Sequence, residues 1–282
     1  MILADDAPAL PATLVLEGQI EPLSDADRLV LAAAVQALET TSLVARLSAM
    51  AGQQIDLASR ILPERFVRIG RSASTLALRA ALHAALKSLH KTHRPASRGL
   101  HRTMAAASGV IGGAFGLAGL AFELPVSTTL MLRSIADIAR AEGEDLSQPE
   151  SALACLEVFA LGGKPTAAGT IESGYFAVRG MLAQSVSEAA RFVLQHHIID
   201  ESAPVLARLV SQIAARFGFV VSQKMAAQLV PVMGAMSAAA LNIAFTSHFQ
   251  NLAHGHFTVR RLERHYGRAL VREEYERMMR KR

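Results

Sequence analysis

The sequence contains no tryptophan and one cysteine in 282 residues, and only 5% of it is aromatic. The lone Cys155 excludes an internal disulfide framework and a multi-cysteine metal site, and it fits a reducing compartment. Half of the chain is hydrophobic despite the shortage of aromatics. That excess is therefore alanine, leucine and valine, the residues of closely packed helices rather than sheets. Charged residues are also scarce, at 19%, below the usual share for a soluble domain, yet the chain is too apolar for disorder. No alternating run demands a strand. The expected fold is all-α, a multi-helix single domain around a central Gly/Ala-rich helical hairpin. Residues 1–23 read as an irregular lead-in with three prolines, and residues 24–282 as the helical domain.

Catalytic signatures are missing as well. There is no G-x-S-x-G elbow and no H-E-x-x-H motif. Gly113-x-x-Gly116-x-x-Gly119 is not the dinucleotide pattern, and no strand precedes it. Gly162-Gly163-Lys164 lacks the upstream glycine of a phosphate loop, and Pro165 replaces the magnesium-binding hydroxyl. Ser88-Leu89-His90-Lys91 matches S-x-x-K without companion motifs. All three read as chance matches, and no cofactor is expected. His248, His254, His256 and His265 gather near the C-terminus with Glu263. His254 and His256 point about 200° apart on a helix, so sharing a metal requires a break, which Gly255 could supply. No metal site is expected.

What is present is uneven charge. Residues 1–59 carry a net −6, residues 60–102 a net +9, residues 103–259 a net −3, and residues 260–282 a net +5. Two segments thus hold all the excess positive charge, which points to an anionic partner. After Pro63, apolar Phe66, Ile69, Leu76, Leu78, Leu82, Leu86 and Leu89 alternate with Arg65, Arg68, Arg71, Arg79, Lys87 and Lys91, predicting a basic amphipathic helix. Arg65, Arg68, Arg71, Lys87 and Lys91, with Arg264 and Arg268 near the C-terminus, are the expected contacts to an anionic surface. Nucleic acid would need both basic blocks on one face and is not the expected partner.

Two uncharged stretches stand out, Met104–Phe122 and Ala226–Phe245. Gly109, Gly112, Gly113, Gly116 and Gly119 form overlapping small-residue pairs in the first; Gly234, Ala238 and Asn242 recur at spacings of four in the second. Small residues on one helix face let another backbone approach closely, so the two stretches are expected to pack together. Each approaches the ~20 residues of a membrane span, but both are rich in weakly apolar Gly and Ala and neither has an aromatic belt. A buried hairpin and a membrane-touching pair both remain open.

Elsewhere, Ser24-Asp25-Ala26-Asp27 predicts a capped helix start. Pro125 is placed in the first turn of a helix over 125–141, in which Arg133, Asp137 and Arg140 pair on the surface. Further helices are expected near 150–161 and 170–196, one ending near Gly218, and one from about His248 to Met279. His196 falls at a helix end, where the carbonyl dipole favours it. The candidate catalytic carboxylates are Glu123, Glu157 and Glu172: a raised-pKa glutamate could act as a general acid or base with a His or Arg partner. Pairing that holds a helix register is the favoured role for all three.

Several stretches together resemble the EcsC protein family. They are Gly109–Pro125, SIADIARAEGED at Ser134–Asp145, EVFALGGKPTAAGTIESGYFAVR at Glu157–Arg179, VPVMGAMSAAALN at Val230–Asn242, and AHGHFTVRRLERHYG at Ala253–Gly267. The motif positions are Glu123, Gly162, Gly163, Tyr175, Arg179, Pro231, Gly234, Asn242, Arg261 and Tyr266. Lys164-Pro165 departs from the pattern. The resemblance implies a bacterial, mainly helical protein, and kinship to a member encoded beside an ABC transporter implies a transporter-linked or membrane-associated accessory role. No catalytic assignment comes with it. The early charges are acidic and no basic n-region at the start of the chain precedes an apolar stretch, so a cytoplasmic location, at most peripheral to the inner face of the cell membrane, is expected. The expected partners are anionic lipids and an ABC transporter or another membrane protein. The alternative is a hydrolase built on a buried glutamate.

Overall fold

A computed structural model describes residues 22–39, 43, 64–88, 116–163, 174–196, 203–229 and 238–281. Among them are eight helices and no strand: α1 (Asp25–Glu39), α2 (Glu64–Ser88), α3 (Gly116–Ala141), α4 (Pro149–Leu161), α5 (Gly174–His196), α6 (Pro204–Leu229), α7 (Ala238–Tyr266) and α8 (Arg268–Arg280). Ser24 opens α1 as its spacing predicts: its Oγ accepts the Asp27 N–H at 3.1 Å. Arg140 and Asp137 pair at 3.0 Å on α3, and His196 Nδ1 lies 3.0 Å from the Phe192 carbonyl at the end of α5. Residues 104–115 and 230–237, the greater part of the expected Gly/Ala-rich hairpin, lie outside the described residues.

The centre of the described core is the short helix α4. Every residue from Ser151 to Ala160 is buried, and α2, α3, α5, α6 and α7 all touch it. A helix apolar on all sides can be satisfied only by neighbours on all sides. Phe159 meets Phe217 and Phe249 at ring-centroid distances of 5.0 and 5.3 Å. Beside α4, helices α3 and α7 run parallel in a fixed register. Gln250 donates to Ser134 at 2.7 Å, Thr258 to Glu142 at 3.5 Å and Arg260 to Glu144 at 2.8 Å, each pair 116 positions apart.

Three expected boundaries are corrected. Pro125 lies inside α3, not in its first turn. One missing N–H is outweighed in a long helix by the packing of Leu124, Ser127 and Thr128, all buried. Gly218 does not end α6, which continues to Leu229. Its role is close approach: a Cβ on Gly218 would lie 3.1 Å from Arg71 Cα, and one on Gly70 would lie 2.7 Å from Ser222 Oγ. So the small residues that bring two helices together here belong to α2 and α6. Finally, the C-terminal helix breaks at Gly267, whose φ of 88° suits glycine.

The basic helix α2 is amphipathic in a different way from the one expected. Its buried face is Gly70, Ser74, Ala77, Leu78, Ala81, Leu82, Ala85 and Leu86. Ile69 and Leu76, assigned by periodicity to the apolar side, are 46% and 55% exposed and share the outer face with exposed Arg68 and Arg79.

Candidate functional site

Glu157 is the one charged residue in the buried stretch of α4, and the groups around it define the candidate site. Tyr175 and Arg179 come from one face of α5, four residues apart. His256, Arg260 and Glu263 come from one face of α7, at spacings of four and three. His256 Nε2 lies 3.8 Å from Glu157 Oε2, with the His256 side chain fully enclosed and Glu157 7% exposed. On the other side of the ring, Nδ1 lies 3.1 Å from the Tyr175 hydroxyl. Arg179 donates to that same hydroxyl oxygen at 3.2 Å and forks onto Glu263 at 2.7 and 3.0 Å.

The Tyr175 oxygen accepts from Arg179 and lies against His256 Nδ1, so the hydroxyl couples the guanidinium to the ring whose other nitrogen faces Glu157. Burial raises Glu157 to about 7, against the pull of Arg179 and Arg260. Burial, reinforced by the same two arginines, holds His256 well below its ordinary value. Burial also pushes the Tyr175 hydroxyl upward. Near neutrality the centre is thus a carboxyl close to its midpoint, facing a neutral imidazole.

The surrounding shell fixes these groups. Arg260 forks onto Glu144 at 2.8 and 3.1 Å, and Ser151 donates to Glu144 at 2.7 Å. Burial opposes the Glu144 charge, but the hydrogen bond and charge of Arg260 prevail and hold it at about 2. Tyr275 stacks on Tyr175 at 5.5 Å and donates to Glu39 at 2.9 Å. Glu39 also accepts the Tyr175 N–H at 3.1 Å, capping α5 from outside. The pair Gly162-Gly163 lets α4 end against its neighbours: a Cβ on Gly162 would lie 3.0 Å from His248 Nε2, and one on Gly163 2.8 Å from Arg216 Cβ. Arg216 donates to the Ala160 carbonyl at 2.8 Å, closing the last turn.

The other sequence-predicted residues fall elsewhere. Glu123 is buried in an ion pair with Lys224 at 2.8 Å and is therefore not part of the His256 centre. Glu172, Pro231, Gly234, Gly109, Gly112, Gly113 and Lys91 lie outside the described residues, as do the side chains of Arg65 and Lys87. Gly116 and Gly119 open α3 and Ala238 opens α7. Asn242 is buried on α7, Arg261 pairs with Glu142 at 2.8 Å, and Tyr266 donates to Asp27 at 2.7 Å. Arg68, Arg71 and Arg268 are exposed. Arg264 is partly withdrawn from any outside surface: it pairs with Glu144 and donates to the Glu142 carbonyl at 2.6 Å.

Helix α7 runs unbroken through Gly255, whose Cβ would lie 2.8 Å from Leu38 Cγ. This glycine admits α1 and breaks nothing; His254 is exposed and His256 buried. No metal-holding group of three ligands occurs among the described residues. Lys224, Arg260 and Glu144 were missed by the sequence reading. The signal for Lys224 was available, since it is the sole formal charge between Arg216 and Arg260.

A family model, that of the EcsC protein family, matches residues 36–262. Neither a comparison with curated proteins nor one with solved structures gives a match.

Proposed function

Because the chain belongs to the EcsC protein family, we propose that it acts as a membrane-associated accessory protein on the cytoplasmic face, working beside a membrane partner such as an ABC transporter. The observation that carries this reading is the outer face of α2. Ile69 and Leu76 are exposed there among Arg68 and Arg79, the pairing of apolar and basic side chains that an anionic leaflet attracts. The C-terminal basic block supports the reading less. Arg260, Arg261 and Arg264 serve Glu142 and Glu144, Arg272 serves Glu276, and Arg277 serves Glu274. Flotation with vesicles tests the reading: recovery with anionic vesicles and not with neutral ones is expected. Equal recovery in the soluble fraction in both cases removes it.

A second reading, a hydrolase using Glu157 as general acid or base, is favoured by the convergence of His256 and Glu157 at 3.8 Å. It predicts turnover of an ester or amide substrate that Glu157→Gln abolishes while the fold persists. Turnover that survives this substitution excludes Glu157 as the catalytic group.

A further inference from the structure

Between residues 103 and 132 the only formal charge is Glu123, and between residues 217 and 259 the only one is Lys224. These two charges neutralise one another in the buried ion pair at 2.8 Å, with Lys224 Nζ also 4.9 Å from the centroid of Phe245. The pair therefore gathers the N-terminal turns of α3, the C-terminal turns of α6 and the N-terminal turns of α7 at one end of the bundle. The Gln250–Ser134 bond joins α7 to α3 at 2.7 Å; about two turns toward the N-terminus of each helix lie Val126 and Asn242, the latter beside Ile243. Val126 and Ile243 are 53% and 45% exposed. Arg68, Ile69 and Arg71, exposed on α2, flank Gly70, which abuts α6 at Gly218 and Ser222, one turn before Lys224.

We infer that this end of the bundle, marked by Val126 and Ile243 and flanked by Arg68 and Arg71, is the surface that enters the outer part of an anionic phospholipid bilayer. The inference rests on the membrane-association reading and specifies which part of the molecule meets the lipid. Exposed aliphatic side chains gain from transfer out of water, and arginines at the margin meet phosphate headgroups. An isolated charge in this region would oppose entry; the internal Glu123–Lys224 pair leaves the end without net charge, as ionisable residues in membranes commonly do by pairing. Nucleic acid would not reward exposed valine and isoleucine, so a bilayer is the partner that fits both features.

The absence of tryptophan makes the test direct. Single-tryptophan variants Val126→Trp and Ile243→Trp, both at exposed positions, report burial by fluorescence. Leu29→Trp is the control: Leu29 is 74% exposed and lies near Asp27, which bonds Tyr266, roughly 35 Å along α7 from Ile243. With vesicles containing phosphatidylglycerol, emission at positions 126 and 243 is expected to move to shorter wavelength and to be quenched by brominated lipid, while position 29 stays unchanged. Arg68→Glu should weaken vesicle binding by about fivefold or more. Vesicle binding with no shift at 126 and 243, or with an equal shift at 29, overturns the inference and leaves membrane association standing. Absence of binding overturns both. A shift produced by duplex DNA and not by vesicles overturns the choice of partner.

Discussion

Glu123 and Lys224, 101 positions apart in sequence, meet at 2.8 Å with both side chains buried. Each is the single formal charge in a long uncharged stretch, so their meeting decides how three helix ends are held together. Removing one partner leaves the other buried and uncompensated, which costs more than the pair contributes. Lys224→Met is expected to lower stability by about 3–5 kcal/mol, while Glu123→Gln combined with Lys224→Met recovers most of that loss. Urea unfolding of the two variants checks it; a double variant no more stable than the single one contradicts the account.

Glu157 gives a pH-dependent prediction with a definite sign. Its folded pKa, about 7, lies above the ordinary 4.5, so the folded state favours the neutral carboxyl. That contribution is present in full below pH ~4.5 and is lost as pH rises through ~7. Glu157→Gln carries no such loss. Relative to the wild type, the variant should therefore gain stability by up to about 3 kcal/mol as pH rises over this window. Parallel unfolding curves at pH 4.5 and 7.5 that differ by the same amount would refute the assignment.

Two glycines should respond oppositely to alanine. At Gly163 a Cβ would lie 2.8 Å from Arg216 Cβ and 3.2 Å from Arg216 Cα, so Gly163→Ala should cost about 1–3 kcal/mol. At Gly180, inside α5 and exposed, a Cβ meets nothing within 4 Å. There the substitution should stabilise by about 0.5–1 kcal/mol through helix propensity alone. Thermal melts of the two single variants read both signs.

The two basic blocks should separate in vesicle binding. Arg68→Glu with Arg79→Glu is expected to abolish most recovery with anionic vesicles and to leave stability nearly unchanged, because both side chains are exposed. Arg264→Gln should do the reverse: it disturbs the Glu144 cluster and lowers the melting temperature with little effect on recovery. Flotation and melting measured on the same preparations decide between the blocks.

Local features were well legible in the sequence. The Ser24 cap, the Arg140–Asp137 pair and the position of His196 all depend on residues within four of each other, the range over which helical periodicity carries information. Pro125 and Gly218 were misread for the complementary reason. Local rules treat them as helix ends, but packing of the surrounding helix overrides one lost hydrogen bond or one flexible residue. In the candidate site, Glu157, Tyr175 and Arg179 were singled out individually. Their convergence on His256 and Glu263 was not legible, since it links α4, α5 and α7 across 84 positions in the Arg179–Glu263 pair.

By itself, the sequence determined the helical class, through an apolar excess of alanine, leucine and valine without tryptophan. It also determined that positive charge collects in two blocks, because both features are sums over residues and need no partner. Only the tertiary structure decided which of those charges face outward. The C-terminal arginines find carboxylates on the loop that follows α3, whereas α2 turns Arg68, Ile69, Leu76 and Arg79 to the surface. A helix face is set by the neighbours that cover it: α2 buries Leu78, Leu82 and Leu86 as its apolar periodicity favours, but with Gly70 turned against Gly218 it leaves Ile69 and Leu76 outside.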